Sequence, residues 1–573
     1  MRWHHQHSFA AFLRLMVTTV IISLASVQVY GQEQWEKEGE GEIKDLEIEM
    51  TKERQLILPR ATKYFEKVSP RPFEPIVPAI TYDVKKLSFS SPDYAPTIRP
   101  LRLKQEDLSK LYSNYLSGGF GNYTSFMVEG SVATKRDRNK LLGADFYWRG
   151  FGKGPVDQAN SASSNTRVTV FGKSISNSIT TEGNLNYNNS RMYFYGYAPG
   201  TDVDRDKLKQ TFETFSVCGS VENTRKADFN YRLTGGYSYI RDAYVASEGE
   251  LSLSAKGDYK LKGSSRFLFD VDVFLINRKD SLYSQSRTLV HIQPAYEFVS
   301  KEKLTITAGV NLALMNDAFP GANSFFVYPR LKGIYKASDR MLVYGSLSGN
   351  LDKVNLHTLA NENQWLNSNN QMTNTDRAFD FDAGVEGGMG KKLTGKIGAS
   401  YATLKNLYFY RNVRDSFDPA GTSVGVDFDK FDLVYDKTTN RLNPYAEATF
   451  THSDAVSFTL RGDYYSYSTE TIAQAWHRPT YRTDFRIRYN LYNKIFLQAG
   501  LIAQGGMKAF EPVTGAIVNL DPALDIGFRG RYFLSKQISA FIQLDNLLSK
   551  EYPLYLGYPA RGFQGLIGAS WSF

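Results

Sequence analysis

The chain of 573 residues has a single cysteine, seven histidines and, beyond its first thirty residues, no long apolar run. One cysteine closes no intramolecular disulfide, so no disulfide framework holds the fold. Cys218 falls beside Ser216 and Thr214 on the polar side of an alternating stretch, which suits a structural thiol. A mean hydropathy of −0.37 and the lack of a later apolar stretch of about 18 residues exclude a helical membrane protein. His291, His357, His452 and His477 are scattered without metal-ligand spacing, and no glycine-rich phosphate loop or serine elbow stands out. No metal, cofactor or enzymatic activity is expected. The formal charge of +9 is small for this length; it gives no reason to expect nucleic acid as a partner.

What the chain does contain is patterned. Arg2 and Arg14 precede an apolar run from Leu15 to Val27, and Val29-Tyr30-Gly31 is an acceptable cleavage site before Gln32, so residues 1–31 read as a secretory signal peptide. Between Glu33 and Glu53 nine acidic residues face only Lys37, Lys44 and Lys52, and eight prolines follow from Pro59 to Pro100. Proline at that density opposes both ladder and helix, so 32–107 reads as an acidic, then proline-rich, periplasmic arm. From 108 to 573 the pattern is strand, turn, strand. Leu304, Ile306, Ala308, Val310, Leu312 and Leu314 alternate with Thr305, Thr307, Gly309, Asn311 and Ala313, the pattern of a wall with lipid on one side and water on the other. The last strand alternates likewise: Phe563, Gly565, Ile567, Ala569 and Trp571 share one face and Gln564, Leu566, Gly568, Ser570 and Ser572 the other. With 37 Phe, 37 Tyr and 45 Gly, the composition fits twisted strands, tight turns and aromatic girdles.

Short turns at Ser300 to Lys303, Ala337 to Asp339, Tyr492 to Lys494 and Ser535 to Gln537 alternate with longer connections at Gly152 to Asn165, Lys353 to Asp376, Val413 to Asp429 and Thr469 to Arg478. Pairing each short turn with a long loop gives a transmembrane antiparallel β-barrel of about 22 strands, within 20 to 24, with both ends on the periplasmic side. Gly121 to Thr124 is read as the turn of the first hairpin, and Asp429 to Thr451 as one long bulged strand.

The stretch Asp545-Asn546-Leu547-Leu548-Ser549-Lys550-Glu551-Tyr552, then Gly557-Tyr558-Pro559 and the closing strand, resembles the carboxyl-terminal signature of TonB-dependent receptors. The resemblance implies an all-β barrel in the outer membrane of a Gram-negative bacterium, in contact with membrane lipid and lipopolysaccharide. That family carries a folded plug before its barrel, and only the proline-rich arm stands at that place here. The expectation is therefore a plugless, receptor-like barrel acting in transport across the outer membrane, or as a membrane component of a larger envelope complex with a periplasmic or lipoprotein partner. The alternative is a TonB-coupled uptake receptor whose plug comes from another chain, and an outer-membrane hydrolase is the remote one.

Three sets of residues are candidate sites. Arg461, Arg482, Arg486, Arg488, Arg529 and Arg531 fall on the lumen side of late strands and read as an anion-attracting wall, or as a ladder self-paired through Asp463, Asp484 and Asp525. Trp365 in the Asn- and Gln-rich loop 353–376, and Trp476 with His477 in another outer loop, suit a surface ligand or partner, or solvated loops. In the arm, Leu46, Ile48 and Met50 alternate with Glu47 and Glu49, so the stretch is either a strand to be added to a partner's sheet or an acidic linker.

Overall fold

The computed structural model describes residues 112–573, apart from 136, 262 and 318–323, together with Lys85. The expected signal peptide and arm, with Leu46, Ile48 and Met50, lie outside the described residues.

The first half of the barrel comprises β1 Tyr115–Gly121, β2 Ser125–Ala133, β3 Lys140–Phe151, β4 Ser163–Ile175, β5 Ile179–Tyr193, β6 Lys209–Asn223, β7 Phe229–Arg241, β8 Ser247–Lys260, β9 Arg266–Lys279, β10 Ser284–Ser300 and β11 Leu304–Met315. The second comprises β12 Phe325–Ser338, β13 Met341–Asp352, β14 Thr375–Met389, β15 Leu393–Phe417, β16 Ser423–Ser453 and β17, which runs as Val456–Tyr464 and Ser466–Thr469 around an interruption at Tyr465. It ends with β18 Tyr481–Leu491, β19 Ile495–Gly505, β20 Ala523–Phe533, β21 Ile538–Asp545 and β22 Gln564–Ser572. Neighbouring strands are antiparallel, and β1 pairs with β22 from Tyr115↔Ser572 to Gly121↔Leu566, which closes a ring of 22 strands.

Alternation places every side chain. On β22, Ile567 and Trp571 lie open on the outer face while Leu566 and Ser570 are buried within. Near one rim Phe229, Tyr259, Phe267, Phe298, Tyr335 and Trp571 face outward; near the other Phe120, Phe126, Phe325, Phe379, Tyr401 and Tyr481 do so. Leu233, Leu253, Ile306, Leu331 and Ile397 fill the band between. An apolar outer band with an aromatic girdle at each edge is the surface of a wall immersed in lipid.

The rim that carries the carboxyl terminus, here the inner rim, has tight turns. At two of them, Lys301-Glu302 and Tyr492-Asn493, both central residues take positive φ, the turn type that matches the right-handed strand twist. The outer rim carries the long connections 152–162, 194–208, 353–374, 470–480, 506–522 and 546–563. One expectation is corrected: 413–429 is not a long loop. Leu407–Asp415 pairs in register with Phe428–Asp436, and only 418–422 connects β15 to β16. Asp429 to Thr451 is indeed part of one strand, and β16 runs for 31 residues. A strand needs about ten residues to cross a membrane, so the β15–β16 hairpin extends far above the outer rim.

Candidate functional site

A ring of 22 strands about 4.8 Å apart, tilted near 40°, is roughly 40–50 Å across, too wide for wall side chains to fill. The outer connections fill its mouth instead. β5 and β16 stand eleven places apart in the ring and so face each other across the lumen. Yet Phe194, just past β5, packs on Phe428 of β16 at 5.6 Å between ring centroids, and Asp429 N–H donates to Gly196 O at 2.8 Å. Extensions from opposite walls therefore touch above the rim, where the long hairpin meets the connection that follows β5.

The loop 353–374 packs into the same cluster. Its short helix α1, Leu356–Glu362, is capped by Asn355, whose side chain accepts from Thr358 N–H at 2.9 Å. Leu356 and Leu359 bury the apolar side of α1. Glu248 and Glu250 of β8 hold its start, the first accepting from Leu356 N–H at 2.9 Å and the second from Asn355 Nδ2 at 2.7 Å. Arg278 and Arg287 hold the rest: Arg278 donates to Ser368 O at 2.7 Å, and Arg287 to Val354 O at 2.8 Å and Asn374 Oδ1 at 2.7 Å. Each arginine is charge-balanced by a buried carboxylate, Asp280 at 2.9 Å and Asp317 at 2.8 Å. On the other side the loop runs beside β16, with Asn367 N–H donating to Phe431 O and Phe431 N–H to Trp365 O.

Trp365 sits at the centre of this cap. It stacks on Tyr558 at 4.3 Å, meets Tyr195 edge-on at 5.6 Å, and donates Nε1–H to Tyr193 O at 3.0 Å. Tyr558 is fully buried and its hydroxyl donates to Asp429 O. The expectation of solvated outer loops thus fails for Trp365, Trp476 and His477, all buried. Composition misled, because several asparagine side chains of 353–374 are spent on internal partners. Asn367 donates to Asp432, Asn370 accepts from Leu433 N–H, and Asn374 accepts from Arg287. Sequence reasoning also missed Tyr408 and Tyr410, whose hydroxyls donate to Glu362 at 2.7 and 3.1 Å. For Tyr558 a signal existed, the Gly-Tyr-Pro stretch before the last strand.

Trp476 packs edge-on against Phe510. His477 Nδ1 lies 2.9 Å from Tyr410 O, and Leu556 N–H points at its Nε2 at 3.5 Å. The neutral tautomer protonated on Nδ1 satisfies both contacts, whereas an imidazolium would face an N–H with an N–H. Burial pushes the imidazole pKa down to about 4.

The arginine wall divides in two. Arg461 pairs with Asp463 at 2.8 Å and Glu447 at 3.2 Å, and Arg486 with Asp484 at 2.9 Å. Asp525 is engaged elsewhere, accepting from Asn546 N–H and Tyr552 OH. Arg482, Arg488, Arg529 and Arg531 have no carboxylate at ion-pair distance among the described residues. Their register places them inward, since Tyr489 and Tyr532 turn to the outer face.

No protein-family profile matches this sequence, and no curated protein matches it. Solved structures do match its shape. The FrpB iron transporter from Neisseria meningitidis superposes with a TM-score of 0.62 at 8% identity over 81% of this chain and 83% of its own. The ferric-catecholate import receptor Fiu from E. coli K12 gives 0.61 at 10%, over 81% and 82%. A ferric enterobactin receptor (PfeA) mutant from Pseudomonas aeruginosa gives 0.59 at 11%, over 80% of each chain. The barrel has the fold of TonB-dependent receptors. With its lipid-facing band, this chain is an outer-membrane β-barrel. The proteins sharing its barrel are, by their names, receptors and a transporter rather than enzymes.

Proposed function

We propose that this protein is a receptor-type conduit of the outer membrane whose outer mouth is closed by its own loops, and that it passes solutes when the cap opens. The observation that carries this reading is the contact between opposite walls through Phe194, Phe428, Trp365 and Tyr558. A cap held by side-chain packing, with no covalent crosslink, is a two-state element of the kind that lids use. In this reading the segment 32–107 acts on the periplasmic side without forming a plug, and Leu46, Ile48 and Met50 engage a periplasmic or lipoprotein partner. The unpaired arginines of the inner wall favour a second reading, in which a plug supplied by another chain occupies the lumen of a TonB-coupled receptor.

The test is conductance in planar bilayers. Wild-type protein should be closed, and a Phe428→Ala, Tyr558→Ala double variant that keeps its heat-modifiable migration should conduct. A folded variant that stays closed, or a wild type that is already open, overturns the reading.

A further inference from the structure

On the lumen wall towards the inner rim, strands on both sides of the closing seam border a recess of about 840 Å³. Arg488, Gln498, Arg529 and Gln543 pair in register across β18, β19, β20 and β21, so they form one row on adjacent strands. At about 4.8 Å per strand, the backbones of Arg488 and Arg529 stand roughly 10 Å apart with an amide donor between them. Arg531 lies two residues along from Arg529, about 7 Å away on the same face, with Phe496 and Phe541 as its register neighbours. The Phe541 ring rests against Gly119 and Gly568 at the seam, where a Cβ on Gly568 would strike it. The floor is thus aromatic and the wall cationic.

The charges of this recess do not cancel. Arg149, Arg488, Arg529 and Arg531 border it against the carboxylates of Glu129 and Asp454. Arg149 is the one with a partner, Asp545 at 3.7 Å, and Glu129 hydrogen-bonds the Tyr115 hydroxyl. Elsewhere on the same wall Arg461 and Arg486 each fold onto a carboxylate two residues away. At Arg488, Arg529 and Arg531 the corresponding positions are filled by Arg486 and Asn490, Gly527 and Arg531, and Arg529 and Phe533, so no local carboxylate is offered. Three uncompensated guanidinium groups, with the Gln498 amide between two of them and Gln543 turned to Asp545 at 2.6 Å, suit an oxyanion with more than one charge, since each guanidinium presents a fork of donors to a phosphate or carboxylate.

We propose that this recess is a binding site for small multivalent oxyanions bearing phosphate or carboxylate groups. The Asp454 and Asn490 side of the recess lies at the inner turns, and the cap covers the outer mouth, so the closed protein receives its anion from the inner side. That the site lies on a route of passage rests on the conduit reading above; the binding itself does not.

The experiment is calorimetric titration of the full-length protein in detergent with inorganic triphosphate, and separately with citrate, at 50 and 200 mM NaCl. Wild type should bind both, and binding should weaken at the higher salt. Arg529→Gln and Arg531→Gln should each weaken triphosphate binding about tenfold, and the triple variant with Arg488→Gln should abolish it. Arg461→Gln and Arg486→Gln should stay within about twofold. No binding by wild type, an equal loss in the Arg461 and Arg486 variants, or an unchanged triple variant overturns the proposal. So does a glutamate-rich peptide that binds more than tenfold tighter than triphosphate, which would assign the surface to a protein partner. In the cap-opened double variant, current should favour chloride over potassium and lose that preference in the triple arginine variant. Absence of current there refutes the conduit alone, since the titration reads the site without it.

Discussion

The two ends of the lumen solve opposite problems with the same residue types. At the outer mouth, Arg278 and Arg287 are almost fully buried, each matched by a carboxylate and by a loop carbonyl. At the inner wall, Arg488, Arg529 and Arg531 stand in the open lumen with no such partner among the described residues. A buried guanidinium without its carboxylate would destabilise the fold by several kcal/mol, whereas one in water costs almost nothing. Arginine at the mouth therefore builds structure, and arginine at the wall is left free to meet something else.

The comparison places the two ends on opposite sides of a membrane, and an all-or-none test can break it. Val513 in the outer connection 506–522 and Tyr492 in an inner turn are both highly exposed. A Val513→Cys variant should react with an impermeant maleimide on whole cells and Tyr492→Cys should not; labelling of the second would reverse the orientation. Trp365 is no use as such a probe, because it is buried.

Next in size is packing. Tyr558→Ala removes a fully buried ring between Trp365, Tyr195 and Phe431 and should cost the cap about 3–5 kcal/mol. Hydrogen exchange should rise across 353–374 and 423–436 while the inner strand ends keep their protection. Uniform loss of protection would show that the cap and the barrel are one cooperative unit.

Acid should also distinguish the ends. With the cap closed His477 is held neutral, its pKa down at about 4, while an opened loop would titrate near 6.5. Between those values the opened form binds a proton that the closed form refuses, so cap stability is full above about pH 6.5 and falls as pH drops towards 4. Partial desolvation of His357, on the exposed side of α1, lowers its pKa as well and acts in the same direction, while Asp242, raised by burial, opposes it. Faster exchange of 470–480 and 353–374 at pH 5 than at pH 7, after correction for intrinsic rates, should shrink in His477→Gln and disappear when His357→Gln is added. A pH effect undiminished by His477→Gln would put the titration elsewhere.

The smallest effect belongs to the exposed pairs. Arg486→Ala removes a contact to Asp484 that water already screens, and should change barrel stability by about 1 kcal/mol or less. A larger loss in denaturant unfolding would mean that the wall pairs carry the strand register, and the contrast with the buried pairs at the mouth would weaken.

The barrel was legible because its signal is local. A strand shows its two faces in residues i and i+2, so Leu304 to Leu314 and Gln564 to Ser572 declared lipid and lumen sides without reference to any other part of the chain. The tight inner turns were legible for the same reason. The 413–429 stretch was misread, since Asp415, Asp418 and Gly421 look like a loop while its pairing lies in β16. The arginine wall was half legible: alternation turned all six inward, but Arg461 found Glu447 on the neighbouring strand and Asp525 turned to Asn546 and Tyr552 instead of an arginine.

By itself the sequence determined a closed, alternating wall and its final strand, because strand periodicity and turn chemistry act over a few residues. Only the tertiary structure decided that connections from opposite sides of the barrel meet across the mouth. The cap brings residues near 194, 250, 287, 365, 430 and 558 together across a ring far wider than any side chain can span. Contacts between segments so distant in sequence leave no periodic trace, and an Asn-rich loop reads as solvated until its buried partners are known.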